Sequence, residues 1–347
     1  MSAPTETSPR VRLPVKAARE LGERAMRGIG FAAWEAEIVV DHAIDAALSG
    51  YEYSGLPKLL NVAENPRFAR PRRPVGPLKQ TGVSLLLDGG NNNGMLAMCL
   101  ASRSAIELAQ THGVGLVAVT DTWMSGRSAY YVELVARAGL IGIHTVASSP
   151  AVAAHGGAQA ILGTNPIAFG FPTETDPLVI DMGTSAIMGT DLKFRKRLGI
   201  PLPEGVAVDA HGQPTVDAAE ALRGAVLPFG GHKGFALSLA MHALGVLCTT
   251  AGFVDGKPSG GHLMIAFKPD LFMSLDDYRH VLSDQIARIK AARRQPGVDA
   301  IRIPGERSQL ERRRLLAEGI EVDQRIVEAL EDLATSPDNT LHDRDHA

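Results

Sequence analysis

The chain has 347 residues, 45% of them hydrophobic and 21% charged, which suits one large core or two moderate ones and excludes a disordered or fibrous protein. Lys plus Arg number 35 against 38 for Asp plus Glu, so no overall field draws the chain to nucleic acid or an anionic membrane, and any nucleotide must meet a local site. No apolar run nears the roughly 18 residues that span a bilayer and residues 1–14 hold no apolar leader, while Cys99 and Cys248 lie in apolar stretches as free thiols, so a cytoplasmic protein is expected.

Residues 1–14 read as a disordered N-terminus. Two amphipathic stretches, 15–29 and 33–48, with Gly30 between them, predict a helical hairpin. Residues 65–81 hold four prolines and several basic residues and read as a connecting loop, the end of an N-terminal region spanning 15–80. From there strand and helix alternate: strand 83–87, helix 95–110, strand 114–120, helix 128–138, strand 141–147, which indicates an α/β core over 81–268. Residues 191–223 are mixed, rich in turn chemistry, and expected to wrap the surface or meet a partner subunit. Strand 262–268, a charged helix 275–294, a short strand 300–304, a helix carrying Arg312, Arg313 and Arg314, and a last helix 323–334 complete the chain. Residues 269–334 are expected to close the site and 335–347 to form a disordered tail. The basic run, balanced by Glu306, Glu311 and Glu318, reads as a solvated helix face.

Three segments carry chemistry. The first runs from Leu162-Gly163-Thr164-Asn165-Pro166 into Leu178-Val179-Ile180-Asp181-Met182-Gly183-Thr184-Ser185, placing backbone amides and one carboxylate at a strand end. Asp181 there can orient a catalytic group, accept a hydrogen bond from a cofactor, or cap the next helix. The second, Pro228-Phe229-Gly230-Gly231-His232-Lys233-Gly234, feeds a glycine-rich loop into a helix, where amides and a lysine can hold phosphate or the lysine can simply ride a flexible turn. The third, Asp88-Gly89-Gly90-Asn91-Asn92-Asn93-Gly94, permits close backbone approach to a ligand but serves equally as a tight strand-to-helix turn. No G-x-G-x-x-G unit, metal-ligand spacing or G-x-S-x-G elbow is present. His144 reads as a satisfied interior histidine and His155 as a loop residue near the cleft.

Taken with Ser148-Ser149-Pro150, Gly156-Gly157, Leu202-Pro203-Glu204-Gly205 and Ile303-Pro304-Gly305-Glu306-Arg307, these segments resemble, in order and over residues 15–334, the non-Rossmann malate/L-lactate dehydrogenases. That family includes ureidoglycolate and sulfolactate dehydrogenases, 2,3-diketogulonate reductase and cyclic imino acid reductases. The resemblance implies a non-classical α/β NAD(P)-binding oxidoreductase fold with an N-terminal helical hairpin and C-terminal helices, a homodimer, and NAD or NADP in a cleft. It gives the cofactor to Thr164 and Asn165, to Asp181, Met182, Gly183, Thr184 and Ser185, to His232 and Lys233, and to Gly305 and Glu306.

The departures fall at the chemical centre. Where the family carries Asp-Ser-His-Gly followed by an arginine, this chain has Glu52-Tyr53-Ser54-Gly55-Leu56-Pro57-Lys58, so Ser54 takes the proton-donor position and Lys58 the carboxylate-clamp position. The family's Asn-His aligns as Trp123-Met124, which would make a more apolar substrate wall, with His155 also expected beside the substrate. A serine hydroxyl cannot replace imidazole as a neutral-range acid. Tyr53, a Lys58 with a lowered pKa, or a water held by Ser54 and Asp181 are the substitutes; a protonated imine substrate would need none. The expected function is hydride transfer between NAD(P) and a 2-hydroxy/2-oxo acid or cyclic imino acid. The alternative is a cofactor-binding pseudoenzyme with a regulatory or structural role.

Overall fold

The structure, a computed structural model, describes residues 9–248, 253–254, 257–258 and 261–335. Most of the two termini expected to be disordered, 1–14 and 335–347, lies outside these.

Helices α1 (Val15–Gly28) and α2 (Ala33–Leu48) form the expected hairpin. Ala18, Leu21, Ala25 and Met26 recur at helical spacing and are buried against Val39, Val40, Ala43 and Ile44 of α2. The far end of the chain completes this layer. Strand β1 (Arg10–Leu13) pairs antiparallel with β15 (Ile320–Asp323), and α11 (Gln324–Ala334) packs Ile326 and Leu330 into the same core. Residues 10–13 are therefore ordered, contrary to expectation, because a distant strand supplies their backbone partners. The N-terminal and C-terminal regions share one core, with α3 (Leu56–Ala63) inside it.

The central sheet has seven strands in the order β2-β3-β4-β14-β5-β8-β9: Gly76–Gln80, Ser84–Asp88, Val114–Thr120, Gly261–Phe267, Ile141–Ala147, Ile167–Phe171 and Leu178–Met182. Only β3 and β4 run parallel, whereas a classical dinucleotide-binding sheet is mostly parallel. Strand β2 lies inside the segment expected to be a loop. Its proline is tolerated because it is an edge strand. Helices α4 (Gly94–His112) and α5 (Ser128–Arg137) cover one face through Ala97, Met98, Ala101 and Val135.

A small lobe gathers β6 (Val152–Ala153), β7 (Ala160–Leu162), β10 (Ala207–Val208) and β11 (Ala225–Val226) with α6 (Gly189–Leu198) and α7 (Ala218–Arg223) around Val152, Leu162, Leu192, Leu202 and Val226. Residues 191–223 thus have their own core rather than only wrapping a surface. Helix α8 (His232–Val246) packs on β5 and β14, and β12 (Phe253–Val254) pairs with β13 (Lys257–Pro258). Helix α9 (Leu275–Ala291) buries none of its side chains, and α10 (Glu306–Glu318) returns to the helical layer. Residues 300–304, expected as a strand, form no regular element.

Candidate active site

Asp181 is the penultimate residue of β9, opposite Ala168 of β8. Its Oδ2 accepts the backbone N–H of Ala129 at 2.8 Å in the first turn of α5. It therefore caps a helix, but one more than fifty residues earlier in the chain rather than the next one. Surrounding protein pushes its pKa up while the Ala129 and Ser128 amides and the Arg127 charge oppose the shift. The residue as a whole stays open to solvent at the strand end.

Beyond it, Thr184 is fully buried, and its N–H and hydroxyl both donate to the Thr164 carbonyl. Ser185 Oγ donates to the Ile187 carbonyl, and Met182 is exposed. Asn165 is fully buried: its Oδ1 accepts from Ser148 N, and its Nδ2 donates to the carbonyl and hydroxyl of Ser238 on α8. Its amide is spent on fixing loops to α8, so Asn165 shapes the expected cofactor site from beneath.

Gly230 (φ 56°) and Gly231 (φ 62°) take left-handed conformations that bring the chain into α8 with no side-chain cap. The helix starts at His232, earlier than the sequence suggested, so His232 and Lys233 are exposed in its first turn. Lys233 has no ion-pair partner among the described residues. Free N–H groups and an unpaired ammonium at one helix start fit the phosphates of a dinucleotide. The His155 and His232 rings meet edge-on at 6.2 Å.

On the other side, Glu52–Ser54 make one 3-10 turn. Ser54 is buried, and Tyr53 is pushed up to about 12 by burial, with Tyr51, Asp191 and Asp181 adding to the shift. Lys58 is 4% exposed and has no carboxylate partner among the described residues; its Nζ donates to Thr190 Oγ1 at 2.8 Å. Burial, with Lys193 nearby, pushes it down to about 7. A lysine that gives up its charge so readily is poorly suited to the clamp role that its position implies.

Trp123 lies in the helical core with its Nε1 donating to the Asn91 carbonyl, and Met124 (φ 54°) packs partly buried against that core. Trp123 therefore braces the Asp88–Gly94 loop rather than facing the cleft. In that loop the Asn91 and Asn92 amides bond backbone carbonyls of the 67–73 segment, so the turn is a packed structural unit.

The turn before α10 reaches the site. Gly305 (φ 84°) lies so close to β9 that a Cβ would stand 2.8 Å from the Val179 carbonyl, two residues before Asp181. Glu306 is bound by Lys290 and accepts the Ile303 N–H. Three neighbours of the site, Thr190, Tyr51 and Arg127, have no place in the sequence analysis, and Arg307 stands there only within a motif. Arg127 was discernible only as a basic residue just before a helix, and the rings and guanidiniums meet only in three dimensions. Arg312 also departs from expectation. It pairs with Asp45 of α2 and with Glu133 of α5 at 2.6 Å, so part of the basic run is an interior tie. Burial pushes Glu133 up, but Arg312 and Arg137 outweigh it and hold the carboxylate down at about 2.

His144 is fully buried, as expected, yet neither ring nitrogen has a partner among the described residues. Two concavities of about 250 Å³ lie elsewhere, one among α3, α6 and α11 and one beside β1 and α10. The cluster around Asp181 is identified by its chemistry rather than by enclosure. No group of metal-ligating side chains occurs among the described residues, and no helix among them is long and apolar enough to cross a membrane.

Comparison with known proteins accounts for this arrangement. Residues 13–331 match the family model described as malate/L-lactate dehydrogenase. The malate/(S)-sulfolactate dehydrogenase of Methanothermus fervidus is 32% identical over 327 residues, covering 91% of this chain and 95% of the relative. The ureidoglycolate dehydrogenase (NAD(+)) of Escherichia coli K12 is 35% identical over 266 residues, 72% of this chain and 75% of the relative. The solved sulfolactate dehydrogenase of Methanocaldococcus jannaschii superposes with a TM-score of 0.81 at 29% identity, covering 93% of this chain and 96% of that one. With the mostly antiparallel sheet, the carboxylate at its edge strand and the uncapped, lysine-bearing helix start all in place, the chain belongs to the malate/L-lactate dehydrogenase family and is an NAD(P)-dependent dehydrogenase of that type.

Proposed function

We propose that this dehydrogenase moves hydride between NAD or NADP and the carbon of a C=O or C=N bond in a 2-oxo acid or cyclic imino acid, with Lys58 handling the proton. The observation that carries this reading is the burial of Lys58, its lack of a carboxylate partner and its pKa near neutrality. General acids work best with a pKa near the operating pH. Tyr53, at about 12, serves as a neutral hydrogen-bond donor instead.

The cofactor supplies or accepts the hydride. Lys233, His232 and the first amides of α8 hold its phosphates, while the 181–185 loop and the Gly305–Glu306 turn line it. Lys58 gives its proton through the Thr190 hydroxyl to the substrate oxygen and recovers it in the oxidative direction. Asp181, fixed by the α5 amides, orients the substrate, with Ser54, Met124 and His155 around it. A homodimer is part of this reading: α8 and its C-cap Leu247 leave Ala236, Leu239, Ala240, Ala243 and Leu247 exposed along one stripe, an apolar face suited to a second copy.

The test is oxidation of NADH and NADPH with a panel of 2-oxo acids and cyclic imino acids across pH. Turnover with a pH limb near 7, and a fall in kcat of about 10²-fold or more in Lys58→Met, is expected. Activity in Lys58→Met equal to wild type would remove the proton role. The second reading, a cofactor-binding protein without turnover, is favoured by Ser54 and Met124 standing where the family resemblance would place histidine. Cofactor binding with no turnover on the whole panel would select it.

A further inference from the structure

Two guanidiniums converge on one ring beside this site. The Arg127 guanidinium carbon lies 5.1 Å from the centroid of the Tyr51 ring and that of Arg307 lies 5.5 Å from it. Arg127 stands at the start of α5, one residue before the amides that hold Asp181, and Arg307 is in the first turn of α10, just past the Gly305 contact with β9. Both arginines therefore approach from elements that frame the Asp181 carboxylate.

Their charges are incompletely met. Arg127 Nη1 donates to Asp45 at 2.6 Å and Ser49 at 3.0 Å, which leaves its Nε and Nη2 without a partner among the described residues. Asp45 is itself shared with Arg312. Arg307 is exposed and has no carboxylate partner among the described residues. The face of an aromatic ring attracts cations, but far more weakly than a carboxylate does. Two like charges gathered there leave a positive focus that an anion would bridge, and a guanidinium fork matches a carboxylate or sulfonate.

We infer that Arg127 and Arg307, arrayed on Tyr51, form the anchor for a second acidic group of the substrate, a carboxylate or sulfonate distal to the reacting carbon. This rests on the proposed hydride-transfer reading and adds a specificity element to it. It also gives the clamp role to two guanidinium forks in place of Lys58. Tyr51 acts as the platform, and the Asp45 and Ser49 bonds fix the angle of Arg127.

The experiment compares Arg307→Gln with wild type on oxaloacetate, 3-sulfopyruvate and pyruvate. Arg307 is exposed, so the substitution spares the core. Expected is a rise in KM of about tenfold for one or both two-charge substrates, with kcat kept and the pyruvate KM unchanged. The substrate with the larger rise identifies the distal group as carboxylate or sulfonate. Arg127→Lys, which keeps a cation for Asp45 but loses the fork, should give the same pattern. Equal KM changes for all three substrates, or none, would overturn the inference. Calorimetric titration of malonate and sulfoacetate into the NAD- or NADP-saturated protein separates this from the wider reading. Dianion binding weakened about tenfold by Arg307→Gln without any turnover would keep the anchor and discard hydride transfer; unchanged binding would discard the anchor.

Discussion

Lys58 Nζ and Thr190 Oγ1 meet at 2.8 Å, joining α3 to α6 through a lysine whose only polar partner among the described residues is a neutral hydroxyl. In the unfolded chain this lysine titrates near 10.5, while in the fold burial brings it down to about 7. Below about pH 7 both states carry the proton, and the fold bears the full cost of a buried charge; the cost is relieved as pH rises toward the unfolded value. Lys58→Met should therefore raise the melting temperature at neutral pH, by an amount corresponding to on the order of a few kcal/mol, while lowering kcat about 10²-fold or more. Thermal scans of the two proteins decide this, and an unchanged or lowered Tm would show that the lysine stabilises the fold.

Lys233→Ala removes an exposed ammonium at an uncapped helix start. The dissociation constant for NADH or NADPH should rise about tenfold, with Tm unaltered. Fluorescence titration reads the constant. A constant equal to wild type would leave the phosphates to backbone amides alone.

Arg312→Met deletes the cation shared by Asp45 and Glu133, leaving the half-buried Asp45 and the buried Glu133 each short of one of two arginine partners. Removing one member of such an ion network costs about 3–5 kcal/mol. Because α10 carries Gly305–Arg307 at its start, cofactor affinity should fall together with stability. Urea unfolding and cofactor titration measure the two effects; a loss of stability with unchanged cofactor binding would detach the network from the site.

Three buried histidines set the response to acid. His42, His144 and His262 cluster with Tyr130 and Tyr131, with ring-centroid separations of 4.8 to 5.9 Å, and burial pushes all three down, His262 to about 4. Between about pH 6.5 and about pH 4 the unfolded chain binds protons that the fold rejects, so stability present above 6.5 is lost as pH falls. Urea midpoints should drop between about pH 7.5 and about pH 5, and His144→Phe should flatten that slope. A slope identical in the variant would assign acid sensitivity to other groups.

Much of this protein is written locally. The hairpin of α1 and α2, the alternation from β3 to β5 and the existence of a helix beyond the glycine-rich 230–234 segment follow from apolar spacing and turn residues, which act within a few positions of the chain. The segments around Thr164, Asp181 and Lys233 likewise stand out in the sequence as candidate cofactor-handling loops, because glycines and a lysine at a helix start carry their chemistry in their spacing. Tertiary structure decided the rest. Strand β1 exists because β15 pairs with it from the other end of the chain, and β14 enters the sheet between two strands far from it in sequence. The same holds for charge: Lys58 loses its proton easily because α6 helps bury it, Arg312 is an interior tie because Asp45 and Glu133 face it, and Arg127 and Arg307 share Tyr51 because β9 brings α5 and α10 together. Desolvation and ion pairing depend on what surrounds a group, and no local window of sequence contains that information.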